Sequence, residues 1–171
     1  MTLPHFHGQS LQDAAFADGT CYGCGPVHPT GLRLKSYWDD DGVHVVARHM
    51  PRPEFIGFPG LVYGGLTAML IDCHSCWTAV AAHYKAEERE AGSAPRIDCV
   101  TGQMSIDYLK AGDVEAEIFL KARVEGPIER KTRVVCEVWS GDLLIAKGQT
   151  LFVRVDTEKL RALAHGNRAP A

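Results

Sequence analysis

The longest hydrophobic pattern in the chain is helical and lies near its middle. Apolar residues recur there with the i, i+3, i+4, i+7 spacing of a helix, directly after a Gly64-Gly65 step. The segment is apolar over most of its circumference as far as Lys85, and it contains no proline. We therefore predict a long helix that is buried on nearly all sides. The residues that carry this pattern are Leu66, Met69, Leu70, Cys73, Trp77, Val80, Ala81 and Tyr84.

Strand-like patterns flank this helix on both sides. Two runs precede it and are joined by an Asp-Asp-Asp-Gly turn, which is a hairpin signal. Four runs follow it, separated by turns that contain Gly, Asp or Pro. This order predicts an α+β fold in which a six-stranded antiparallel sheet wraps around the helix. The six runs are Leu32–Trp38, Val43–His49, Ile97–Leu109, Val114–Glu125, Thr132–Ser140 and Leu143–Val155.

Short helices are predicted near both ends of the chain. Ser10 followed by Asp13 resembles a capping box and predicts a helix over Leu11–Ala17. A second small helix is predicted over Thr157–Ala164. We expect an N-terminal arm with a short helix (1–19), a main domain (20–156), and a C-terminal helix and tail (157–171).

Composition narrows the class of protein. The 171 residues are 46% hydrophobic and 23% charged, which is typical of one folded domain. The net charge of −3 argues against a general nucleic-acid binder, which needs a basic face. No apolar run approaches the roughly 20 residues of a membrane span. The first residues, MTLPHFHGQS, lack the features of a signal peptide, so we expect a cytoplasmic protein.

Three motifs along the chain resemble those of one enzyme family. CGPVHPTGL (Cys24–Leu32) is similar to a Cys-Gly-x-x-Asn-Pro-x-Gly-Leu signature, and GFPGLVYGGLTAMLID (Gly57–Asp72) to a loop-and-helix motif that usually contains His-Gly-Gly. TGQMSIDYLKAGD (Thr101–Asp113) is similar to the strand and turn that follow. The family is that of the PaaI-like acyl-CoA thioesterases, so the resemblance implies the hotdog fold and cofactor-free thioester hydrolysis. Tyr63 replaces the usual His, and His28 replaces the usual Asn.

The resemblance assigns roles around the central helix. Unpaired N–H groups and a partial positive charge lie at a helix N-terminus, where glycine lets a carbonyl approach. The resemblance implies that the Gly64 amide, beside Gly65, holds the thioester oxyanion. A carboxylate on an apolar helix is unfavourable unless it is paired or functional, and the resemblance implies that Asp72 activates water or attacks the thioester. Thr101 falls near this carboxylate, either to position water or as an ordinary strand residue.

The departure at Tyr63 leaves two readings of that residue. Its hydroxyl could donate to the substrate carbonyl or sulfur. Alternatively, its ring packs over the mouth of the pocket.

Spacing predicts how many chains one site requires. Gly64 and Asp72 are eight residues apart, which is ~12 Å along a helix. One thioester cannot lie within ~3 Å of both groups on the same helix. If both act on one substrate, they come from different copies, so we expect a homodimer or a homotetramer.

A basic cluster is the candidate contact for the phosphates of coenzyme A. Arg130, Lys131 and Arg133 lie at the start of a predicted strand. They are candidates by charge alone, and a solvated turn is the more common explanation of such a run.

The cysteines raise the question of a metal site. Cys21-x-x-Cys24 and Cys73-x-x-Cys76 each have the spacing of a ligand pair. The second pair lies on the buried helix, and the 48 residues between the pairs match no compact zinc module. We therefore expect no metal, and we interpret these cysteines as small buried hydrophobic residues.

Two other functions remain open at this point. The first is a non-catalytic protein that binds acyl-CoA or another small ligand, because loss of the usual His at Tyr63 would weaken catalysis. The second is a hotdog dehydratase, which would need a catalytic His facing the carboxylate. His49 and His74 are the candidates for that role.

Overall fold

The structure, a computed structural model, describes residue 6, residues 8–156 and residue 158. A single long helix and six strands form its body, with one short helix before them. The elements are α1 (Leu11–Ala15), β1 (Ser36–Trp38), β2 (Val45–His49), α2 (Gly64–Ala86), β3 (Asp98–Tyr108), β4 (Ile118–Val124), β5 (Lys131–Ser140) and β6 (Leu143–Val155). Apart from Glu158, the helix predicted over Thr157–Ala164 lies outside the described residues.

The six strands form one sheet in the order β1-β2-β4-β5-β6-β3, and each neighbouring pair is antiparallel. This confirms the predicted six-stranded antiparallel sheet. Strands β1 and β4 each begin four residues later than predicted, because backbone groups of the residues before them bond to loops instead. The Leu32 and Leu34 N–H groups donate to the loop carbonyls of Tyr22 and Gly23, and Val114 N–H donates to Gly60.

Helix α2 packs against one face of the sheet, as its nearly continuous apolar surface predicts. Alternate residues of β5 and β6 point towards it, and they are buried while their neighbours are more exposed. A Cβ added at Gly148 would lie 2.5 Å from Cγ2 of Ile71. The glycine therefore lets the helix approach β6 closely. The result is the hotdog fold, a curved antiparallel sheet around one central helix.

A buried polar chain ties the short helix α1 and strand β1 to α2. Ser10 caps α1 by accepting from Asp13 N–H, as predicted, although α1 ends at Ala15 rather than Ala17. Gln12 bonds both the N–H and the hydroxyl of Ser36, and the Ser36 hydroxyl contacts Nδ1 of His74 at 2.9 Å. None of the helices in the described part of the chain is long and apolar enough to span a membrane.

Candidate active site

Asp72 and Thr101 meet between α2 and β3. The Thr101 hydroxyl donates a hydrogen bond of 2.6 Å to Oδ1 of Asp72. Asp72 is half-buried on a helix whose other residues are mostly buried, and Thr101 is exposed at the edge of the sheet. One carboxylate oxygen therefore has a partner within the chain. Oδ2 has no hydrogen bond to any described residue and can accept a proton from a bound molecule.

A β-bulge in β3 aims Thr101 at the helix. The pairing register with β6 shifts between Thr101 and Gln103, which leaves Gly102 as the extra residue. Thr101 pairs with Phe152, which is fully buried, so both side chains lie on the helix side of the sheet. Bulges re-aim side chains in this way next to functional sites.

The other end of the candidate site is the N-terminus of α2. Within the described part of the chain, the N–H groups of Gly64 and Gly65 donate to no acceptor, and the Tyr63 side chain does not cap the helix. A Cβ added at Gly65 would lie 2.3 Å from the Tyr63 ring, so that ring is packed against the first turn. At Gly64 an added Cβ would meet only the Tyr108 ring, at 3.5 Å. These two N–H groups are therefore available to a negatively charged oxygen.

Tyr108 belongs to this end of the site, and the sequence did not assign it a role there. Its hydroxyl donates a hydrogen bond of 2.8 Å to the Gly64 carbonyl. Burial raises the pKa of Tyr108, with a smaller contribution from nearby Tyr63, so the phenol stays protonated and remains a donor at neutral pH. Tyr108 also lines a cleft of about 370 Å³ beside Gly64, together with Val62, Thr67, Gly112 and Ile145.

Within one chain the two ends of the site lie apart. Strand β3 runs alongside α2 in the opposite direction, so Tyr108 meets the helix start and Thr101 meets Asp72 two turns later. The ~12 Å between Gly64 and Asp72 follows from the unbroken helix that joins them. A half-buried stripe of α2 and the outer edge of β3 lie side by side there. The stripe consists of Gly64, Gly65, Ala68, Met69, Asp72 and Cys76.

The predicted phosphate contacts lie elsewhere in the chain. Lys131 and Arg133 are exposed residues of β5 that alternate with buried Thr132 and Val134. They therefore point away from α2, on the sheet face opposite Asp72. Arg130 precedes the strand, and its carbonyl accepts from Arg154 N–H. A single chain does not bring these three residues to the Asp72–Thr101 pair.

The two histidines considered for a dehydratase do not face Asp72. His74 is fully buried, and its ring nitrogens contact Ser36 Oγ and the Val45 carbonyl, at 2.9 and 3.1 Å. Burial lowers the pKa of His74 to about 4, so it is neutral at pH 7. His49 ends β2, which three other strands separate from β3. Neither candidate histidine is therefore placed to act with Asp72 of the same chain.

Two side-chain groups have the composition of metal sites. Asp39, Asp41 and His44 cluster in the β1–β2 turn, but the Lys121 ammonium contacts Asp39 at 2.8 Å and competes with a cation for the carboxylates. The other group consists of Cys21, Cys24 and Cys73. All six cysteines are free thiols.

Comparison with known proteins identifies the family. The family model described as the thioesterase superfamily matches residues 59–147, which include both ends of the candidate site. None of the curated proteins searched is significantly similar to the chain.

Solved structures agree with the family match. A thioesterase superfamily protein from Shewanella loihica is 35% identical, with a TM-score of 0.58 over 72% of this chain and 91% of its own. A conserved protein from Pseudomonas aeruginosa is 25% identical, with a TM-score of 0.55 over 66% and 81%. A Streptococcus mutans protein bound to acetyl CoA has the same fold at 20% identity, with a TM-score of 0.53 over 66% and 81%. The chain belongs to the thioesterase superfamily.

Proposed function

We propose that the protein is an acyl-CoA thioesterase whose site combines Asp72 of one chain with the α2 N-terminus of a second chain. The observation that carries the proposal is the 2.6 Å hydrogen bond from Thr101 to Asp72, the one acidic residue of a helix whose other residues are mostly buried. A carboxylate in such a place is unfavourable unless it is paired or functional, and Thr101 bonds only one of its two oxygens. The family match supports a thioester as the substrate class.

The chemistry divides between the two ends of the site. Thr101 occupies Oδ1 of Asp72 and leaves Oδ2 for the attacking water. Acting as general base, Asp72 takes one proton from that water while the water oxygen bonds to the thioester carbon. The carbon–sulfur bond then breaks, and the thiol leaves with the proton. Direct attack by the carboxylate is the alternative route: it breaks the carbon–sulfur bond, the thiolate leaves and takes a proton from water, and the resulting anhydride is hydrolysed.

The helix N-terminus stabilises the negative charge of this reaction. As the carbonyl oxygen becomes an oxyanion, the N–H groups of Gly64 and Gly65 donate to it. Tyr63 packs its ring against this turn and carries the hydroxyl that replaces the usual His. The PaaI-like resemblance of the Gly57–Asp72 motif supports these roles.

Geometry favours a site shared by two chains. The ~12 Å between Gly64 and Asp72 exceeds what one thioester can bridge. A two-fold axis beside α2 would bring Asp72 of each copy towards the helix start of the other. The half-buried stripe of α2 is available for that contact.

A solved structure with this fold supports a coenzyme A thioester as the substrate. The Streptococcus mutans protein with this fold is bound to acetyl CoA. We infer that basic residues at the surface contact the phosphates of such a ligand. Arg130, Lys131 and Arg133 would do so only across a subunit interface, because two of them face away from Asp72 in their own chain.

Binding without hydrolysis is the second candidate, and Tyr63 is the observation that favours it. A tyrosine replaces the polar residue that the family usually places next to the glycine pair. A binding protein, however, has no use for the Thr101–Asp72 pair. Turnover of a thioester excludes it as the sole function, whereas tight acyl-CoA binding by an inactive wild type supports it.

The test is thiol release from a panel of short, long and aryl acyl-CoAs by wild type and Asp72→Asn. Asparagine keeps the shape of the side chain and the bond from Thr101 but cannot take a proton. We expect kcat to fall by about 10²–10⁴. Asp107→Asn, on the same strand as Thr101 but on the opposite sheet face, is the matched control and should stay active. Equal kcat for Asp72→Asn and wild type would falsify the mechanism.

A further inference from the structure

Three cysteine thiols from distant parts of the sequence converge beside α2. Cys21 and Cys24 belong to the loop before β1, and Cys73 directly follows Asp72 in the helix. Their sulfur atoms all lie within 4.8 Å of one another, and those of Cys21 and Cys73 are 3.9 Å apart. Cys24 and Cys73 are buried, with 5% and 7% of their surface exposed, whereas Cys21 reaches solvent.

The loop is shaped to let these sulfurs meet. A Cβ added at Gly23 would lie 2.3 Å from Cys73 Sγ, so any side chain at this position would take the place of that sulfur. A Cβ added at Gly25 would lie 2.5 Å from the Cys21 nitrogen, and Gly25 N–H closes the turn on the Cys21 carbonyl at 2.8 Å. Gly23 is therefore required by the approach of Cys73 Sγ, and Gly25 by the tight turn that carries Cys21 and Cys24.

One N–H donor of α2 reaches the cluster. The Trp77 indole N–H donates to Cys24 Sγ at 3.2 Å. N–H donors of this kind are the outer partners that hold metal-binding thiolates in place.

We propose that Cys21, Cys24 and Cys73 bind one Zn²⁺ ion, with solvent in the fourth position beside Cys21. Zinc–sulfur bonds of about 2.3 Å in a tetrahedron place the sulfurs about 3.8 Å apart, close to the observed Cys21–Cys73 distance. When the ion binds, it displaces the protons of those thiols that are still protonated. The proposal is independent of thioester hydrolysis and assigns the metal no step in it.

The structure separates the two Cys-x-x-Cys pairs of the sequence. Cys73 joins the loop cysteines, whereas the Cys76 thiol donates to the Cys99 carbonyl at 3.5 Å instead. The site is therefore made of one complete pair and one helical residue, which is why it matches no compact zinc module. Zinc in this position would tie the loop that precedes β1 to the helix residue next to Asp72.

The experiment uses the full chain, purified with a reductant and freed of metal by a chelator. Titration with Co²⁺ should give the ligand-field absorption of a tetrahedral site and sulfur-to-metal charge transfer, saturating at one ion per chain. Excess Zn²⁺ should remove both signals. At free Zn²⁺ about a hundred times Kd, Tm should rise by about 5–10 °C.

Two cysteines on the same helix provide the matched comparison. Cys73→Ser should weaken Zn²⁺ binding by on the order of a hundredfold or more, because one of three thiolates is lost. Cys76→Ser, three residues further along α2, should bind Zn²⁺ as wild type does. Cys21→Ser changes an exposed residue and tests the site even if Cys73→Ser fails to fold.

Three results would overturn the proposal. The first is the absence of any Co²⁺ charge-transfer band in the reduced wild type. The second is equal Zn²⁺ affinity for Cys21→Ser and wild type. The third is a disulfide among the three cysteines that persists in reductant and blocks metal uptake.

Discussion

The phenol of Tyr108 forms a hydrogen bond with the first turn of α2. The Tyr108 hydroxyl donates to the Gly64 carbonyl, which belongs to the same peptide group as the Gly65 N–H. A hydrogen bond to the oxygen of a peptide group polarises its N–H, so Gly65 becomes a stronger donor. Tyr108 is therefore a positioning residue for the proposed oxyanion site. It acts through the backbone and needs no contact with the substrate.

Removal of this hydroxyl should lower the rate with little effect on binding. For Tyr108→Phe we expect kcat to fall about fivefold, the equivalent of a neutral hydrogen bond of about 1 kcal/mol. KM should change by less than twofold, because the ring and the cleft are kept. Steady-state kinetics on the best acyl-CoA measure both values. Tyr22→Phe, in the loop before β1, is the control, and an unchanged kcat in Tyr108→Phe would rule out the positioning role.

His74, a candidate catalytic residue in the sequence, has a structural role in the fold. The Ser36 hydroxyl contacts both Gln12 Nε2 and Nδ1 of His74, and Nε2 of His74 contacts the Val45 carbonyl. Ser36→Ala would leave two buried polar groups without partners. We expect a loss of about 1–3 kcal/mol of unfolding free energy in urea denaturation. The kcat of the folded variant should equal that of wild type, and a large fall in kcat would reopen a catalytic role for His74.

At the scale of elements, helix α2 could be predicted from its sequence, whereas the local form of β3 could not. The helix follows from its apolar spacing and the Gly64-Gly65 start. In a regular strand Thr101 and Tyr108 are seven residues apart and would face opposite sides of the sheet. The bulge at Gly102 reverses the alternation and turns both towards α2. The glycine inside the strand pattern was the available signal.

The contact between α2 and β6 depends on the glycine at position 148. Gly148→Ala places a methyl group 2.5 Å from Cγ2 of Ile71, and we expect a loss of about 1–3 kcal/mol of stability. Ile71→Ala alone should lose about 2–5 kcal/mol. The double variant should lose less stability than the sum of the two single losses, because the new methyl group enters the space that Ile71→Ala vacates. Urea unfolding of the four proteins measures the coupling, and strict additivity would show that the two residues do not share this space.

At the scale of the whole molecule, one chain leaves a surface incomplete. Within the described residues, β3 pairs with β6 on one side, and no strand pairs with its other edge. The half-buried stripe of α2 lies beside this edge. A second chain in the proposed site stays a prediction from the spacing of Gly64 and Asp72. The position of β3 at the sheet edge could not be predicted, because strand order depends on pairings that the sequence pattern does not encode.

Mixing two inactive variants tests whether the site is shared. Asp72→Asn lacks the proposed base, and Gly64→Ala adds a methyl group beside the proposed oxyanion site, at an ordinary contact distance of 3.5 Å from the Tyr108 ring. In a two-fold dimer, each mixed pair contains one site with a native Asp72 and a native Gly64. Random re-association after co-refolding therefore restores about a quarter of the native sites. We expect acyl-CoA turnover of the mixture to reach about a quarter of wild type, far above either parent. Turnover equal to the mean of the two parents would mean that both groups act within one chain, and the shared site would be wrong.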